Sequence, residues 1–173
     1  MIQKSIFLVC ALVVGQVALA LPNVSSLKKG TYTNADKGCE ITIYQSDRVN
    51  STMIDYRQEQ GDRYDRGSIS FNYTTGDVKD LSLCQDLKLP ITTKQRPLSD
   101  GKIEYTLTCG GVTHCIDVKA VIVVDAAANV LDSLSVLESV ARTGTGPNVC
   151  LPVPKKVMTA LDCPNIRLSA EAE

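Results

Sequence analysis

The chain has no tryptophan, two phenylalanines and one histidine. A platform for stacking bases or sugars would have to come from its six tyrosines. His114 is the only imidazole, and no nucleophile-elbow sequence accompanies it. That removes most schemes in which a histidine base activates a nucleophile. Charge of either sign is not in excess, since 18 Lys and Arg stand against 19 Asp and Glu. Such balance offers no basic field to nucleic acid. Past residue 20 no apolar run approaches the roughly 20 residues of a membrane span. Internal repeats and low-complexity tracts are also missing.

What is present begins with a leader. Residues 1–20 carry Lys4, an apolar stretch from Ile6 to Val14, and Ala18-Leu19-Ala20, an A-x-A cleavage pattern. This reads as a secretory signal peptide. Residues 21–173 are then expected to form a single β-rich domain with a frayed tail from Ser169 to Glu173. Cys10 leaves with the leader. Cys39, Cys84, Cys109, Cys115, Cys150 and Cys163 remain, an even set that predicts three disulfides in a secreted or extracytoplasmic chain, periplasmic if bacterial.

Period-two alternation marks most of the strands. Cys39, Ile41 and Ile43 share one face, as do Thr52, Ile54 and Tyr56, and Ile69, Phe71 and Tyr73. The clearest stretch is Lys102 to Val124. Ile103, Tyr105, Leu107 and Cys109 form one apolar row, and Ile116, Val118, Ala120, Ile122 and Val124 another. Gly110-Gly111 between them is expected to turn a hairpin at the centre of the sheet. Facing both rows to one core pairs Leu107 or Cys109 with His114; the second register also opposes Glu104 to Lys119. Either register points Cys109 and Cys115 to opposite faces, which predicts that they are not bonded to each other.

Leu21 to Lys29 is a polar lead-in. A short edge strand is placed near Leu87 to Ile91, because Pro90 and Pro97 confine pairing there to an edge. After Val124 the chain is expected to turn back into a strand, Val130 to Leu137, a short helix after residue 125 being the alternative. Thr143 to Pro154 is irregular, and Lys155 to Cys163 is a short strand or one helical turn. The fold class is mainly β: a small antiparallel barrel or sandwich, a meander of about 7–9 strands by this spacing of turn signals.

Gly30-Thr31-Tyr32 resembles the Gly-x-Trp opening of the lipocalins over three residues, with tyrosine for tryptophan. The resemblance implies a closed barrel with an interior cavity as one architecture.

Candidate sites are few. Arg57 to Arg66 is charged and without periodicity, so it reads as a solvated loop. Its recognition reading rests on Arg57, Arg63, Tyr64 and Arg66. Cys109, His114 and Cys115 fit no zinc spacing, and no metal or cofactor is expected. Carboxylate pairs such as Asp62 with Asp65, or Asp77 with Asp80, read as surface charge. Of three sequons, Asn50-Ser51-Thr52 and Asn72-Tyr73-Thr74 offer glycosylation sites, and Asn23-Val24-Ser25 is the third. The function expected is a non-catalytic binding module, holding a small apolar ligand or contacting a protein. The alternative is an interaction protein of the envelope or extracellular matrix; a hydrolase ranks third.

Overall fold

The computed structural model describes residues 24–81, 84, 88–111, 115–141, 150 and 156–171. The leader, Asn23 of the first sequon, His114 and nearly all of Thr143 to Pro154 lie outside them. Eleven strands occur among the described residues, more than the expected count. They are β1 (Gly30–Asn34), β2 (Cys39–Ser46), β3 (Ser51–Gln60), β4 (Arg63–Asn72), β5 (Val78–Leu81), β6 (Thr92–Pro97), β7 (Lys102–Gly111), β8 (Ile116–Asp125), β9 (Val130–Val140), β10 (Lys156–Cys163) and β11 (Arg167–Glu171).

They form two antiparallel sheets, ordered β11-β1-β2-β3-β4-β5 and β10-β9-β8-β7-β6. The sheets pack as a sandwich and do not close into a barrel. The alternating rows meet between them. Tyr32, Ile41, Ile43, Ile54, Ile69 and Phe71 from one sheet, and Tyr105, Leu107, Val118, Ala120 and Ile122 from the other, are almost wholly buried. Val24 and Leu27 join this core, so the lead-in is not merely polar.

Several expectations are corrected. The β7–β8 hairpin turns beyond Gly111, since Gly110 and Gly111 are still paired with Asp117 and Ile116. Cys109 therefore opposes Val118 and Leu107 opposes Ala120. Parity is as expected, but the ladder is longer. Gly110 is needed for close approach: a Cβ there would lie 2.0 Å from the Ile116 carbonyl oxygen. Glu104 finds its opposite charge on the other neighbour, Arg96 of β6, at 2.9 Å. Tyr73 falls past the end of β4 and is exposed.

The expected edge strand is displaced: Leu87 lies outside the described residues, and Lys88 to Ile91 forms no strand. Both sheets end instead on β5 and β6, on either side of the Leu87 to Ile91 stretch, and Pro97 closes edge strand β6. Among the described residues no helix follows residue 125. The Asp125 carboxylate accepts from Ala127 N and Ala128 N, Asn129 takes a positive φ of 53°, and β9 runs back along β8. Ser169 to Glu171, expected as a frayed tail, belongs to β11, paired with β1.

The disulfides are Cys39–Cys163, Cys84–Cys109 and Cys115–Cys150. Cys109 and Cys115 are thus not bonded to each other, and each ties the hairpin to a different segment. Three disulfides suit an oxidising, extracytoplasmic setting. Among the described residues no helix is long and apolar enough to cross a membrane.

Candidate functional site

Arg57 to Arg66 is not a loop. It is the tip of the β3–β4 hairpin, reversed at Gly61-Asp62, where Gly61 takes a φ of 58°. Alternation is present but is not hydrophobic. One face carries Arg57, Glu59, Tyr64 and Arg66; the other carries Gln58, Arg63 and Asp65. The inward members are polar because they face a backbone.

Asn34, Cys39, Gln58 and Asp65 lie side by side across β1, β2, β3 and β4. β10 crosses above this row. Asn34 Nδ2 donates to Pro164 O at 2.6 Å, and Cys39 is bonded to Cys163. Gln58 accepts from Asp162 N at 2.9 Å and donates back to Asp162 O at 3.1 Å and to Lys37 O at 2.9 Å. Asp65 accepts from Ala160 N at 3.4 Å. The Gln58 carboxamide thus makes the pair of bonds that a neighbouring strand would make. Side chains of one sheet satisfy main-chain groups that β10 would otherwise leave open along an edge.

Arg63 belongs to this seam. Its guanidinium donates to Asp65 at 2.6 Å and 3.3 Å, and Asp65 is only 5% exposed. Asp65 is therefore not surface charge. Glu138, on the inner face of β9, is also 5% exposed, and Thr159 Oγ1 donates to its Oε2 at 2.8 Å. Its Oε1 has no hydrogen-bond partner among the described residues.

The outward side chains build a different surface. Glu40, Arg57 and Arg66 stand in one cross-strand row, and Thr42, Asp55 and Ser68 in the next. Between them lies an open depression of about 460 Å³, lined also by Tyr64. A second, of about 310 Å³, adjoins it across Glu40 and Arg57. Arg57 is ion-paired to Glu40 at 2.6 Å, which raises its guanidinium pKa. Arg66 directly opposes Arg57 and has no ion-pair partner among the described residues. Tyr64 is 50% exposed. Tyr44, further along the face, donates to Asp55 Oδ2 at 3.1 Å, and burial and then this bond raise its phenol above the ordinary 10.0.

Of the expected recognition residues, Arg57, Tyr64 and Arg66 come together on this face, while Arg63 points to the seam. Asn50 and Asn72 lie at the far end of the same strands. Cys109 and Cys115 are committed to disulfides, so neither offers a thiolate to a metal. The reading as a loop missed the outer face, although the parity of Arg57 with Glu59 and of Tyr64 with Arg66 could have revealed it. Fold and face together define a disulfide-bonded antiparallel β-sandwich with an open polar depression on its six-stranded sheet. No family model matches the chain, and no curated protein or solved structure matches it.

Proposed function

We propose that the protein is an exported, non-catalytic recognition module whose partner is another protein. Its contact surface is the outer face around Arg57, Tyr64 and Arg66. The observation that carries this is the Arg66 guanidinium, unpaired among the described residues, beside half-exposed Tyr64 over an open depression. Arginine and tyrosine are among the side chains enriched at protein contact centres. Sites for small apolar ligands are instead mostly enclosed and apolar. This depression is open and is walled by Glu40, Asp55, Arg57 and Arg66. The Arg66 guanidinium suits a carboxylate of the partner, which it can hold by two parallel bonds.

A second reading, an interaction protein of an envelope or extracellular matrix, draws on Leu137, Val157 and Met158, which are exposed on the other sheet. Two contact faces on opposite sheets would let one domain bridge two neighbours.

The test is native mass spectrometry of the protein purified from its own host, beside Tyr64→Ala and Arg66→Ala. The wild type is expected to retain a protein partner. Each variant should weaken that complex by more than tenfold, the scale of a contact hot spot at ~2 kcal/mol, with folding stability within about 0.5 kcal/mol of wild type. A retained small apolar molecule, or a complex indifferent to both variants, would refute the proposal.

A further inference from the structure

The recognition reading leaves the sequons unused, and the structure separates the two it describes. Asn50 sits at the turn between β2 and β3, after the 3-10 turn Asp47–Val49. Its φ of 50° and the bond from its N–H to Asp47 O set it at the apex of that turn. Lys79 Nζ donates to the carbonyls of Val49 and Asn50, which fixes the backbone beneath. The Asn50 side chain is exposed and makes no hydrogen bond among the described residues. Val49 beside it is 51% exposed, an apolar surface of the kind that the less polar face of a sugar ring covers.

Asn72 is placed differently. It is half-buried, and its carboxamide oxygen accepts from Thr74 N at 2.9 Å and Thr75 N at 3.1 Å. Its own N–H and C=O are bonded to Asp77 and Gly76. Asn72 thus organises the β4–β5 turn and leaves its amide less room.

We propose that Asn50 is a site of N-linked glycosylation in a eukaryotic secretory pathway. This rests on export of the chain and not on the recognition face. The co-reactant is a lipid-linked oligosaccharide. Asn50 Nδ2 forms a bond to C1 of its first sugar, the C–O bond to the lipid diphosphate breaks, and Nδ2 gives up one proton. Asn72 pairs with Ser51 at this end of the sheet, and Tyr64 lies toward the other end of β4. The separation along the strand is roughly 27 Å at about 3.4 Å per residue. A glycan on Asn50 would cover the pole away from the depression and leave the recognition face open.

The experiment is peptide mapping of the protein secreted by its own host, with enzymatic deglycosylation in water enriched in the heavy oxygen isotope, which converts a modified Asn50 to oxygen-labelled Asp. The companion variant is Asn50→Gly, since glycine accepts the positive φ without an amide acceptor. The expected result is a labelled Asn50 in the wild type and loss of that glycan's mass from the variant. An unlabelled Asn50, or a variant that keeps every glycan of the wild type, would overturn the proposal. If the variant is not secreted, the wild-type map alone decides.

Discussion

Replacing Gln58 tests the seam directly. Its carboxamide makes three hydrogen bonds to the main chain of Lys37 and Asp162, and the side chain is 2% exposed. Gln58→Leu keeps much of the volume and removes all three. A typical intramolecular hydrogen bond contributes a net ~0.5–1.5 kcal/mol, and an orphaned buried group costs about 1–3 kcal/mol. Asp162 and Lys37 are themselves exposed, so water can reach part of what is left. The expected loss is therefore about 2–4 kcal/mol, a large share of the ~5–15 kcal/mol typical of a domain. Gln58→Glu sharpens the test. One carboxylate oxygen could still accept from Asp162 N, but the other would face the carbonyls of Asp162 and Lys37. It should cost more at pH 7 than at pH 4, where protonation restores a donor. Urea unfolding with disulfides intact, followed by circular dichroism, measures both. A loss under 0.5 kcal/mol for Gln58→Leu, together with a pH-independent Gln58→Glu, would refute the seam.

Loop-closure entropy predicts that removing Cys39–Cys163, which spans 124 residues, costs about 5 kcal/mol, against about 3.5 kcal/mol for Cys84–Cys109, which spans 25. Thermal midpoints of the paired serine variants should fall in that order, and the reverse order would count against it. Thr159→Val should cost about 1.5–3 kcal/mol, because it strips buried Glu138 of its described partner. Adding Glu138→Leu should recover part of that loss in urea unfolding, and simple additivity would contradict the account. Tyr44 has a raised pKa, so the folded state holds its proton longer. Its contribution is complete below the ordinary value of 10.0 and disappears as pH rises through the folded value. Ultraviolet difference titration should show a late tyrosine that Tyr44→Phe removes; an unchanged titration would exclude it.

The strands at the heart of both sheets were legible because their alternation is local. Ile41 and Ile43, or Leu107 and Cys109, declare a buried face from two residues apart, whatever lies opposite. The separation of Cys109 from Cys115 followed from the same parity, without knowledge of either partner. The place of the β7–β8 turn did not. Gly110 serves both a reversal and a close approach, and only the completed ladder chooses between them.

The seam lay beyond reach for a deeper reason. Gln58 and Asp65 are polar at inward positions because they satisfy Asp162 and Ala160, 104 and 95 residues away. In the sequence they break the hydrophobic period and imitate a loop. Buried Glu138 does the same in β9. The amino-acid sequence by itself determined that this chain is a disulfide-bonded, mainly β protein, and which rows enter its core. Only the tertiary structure decided how the sheets cross, and which charges face solvent, because those choices depend on backbone groups brought together from distant parts of the chain.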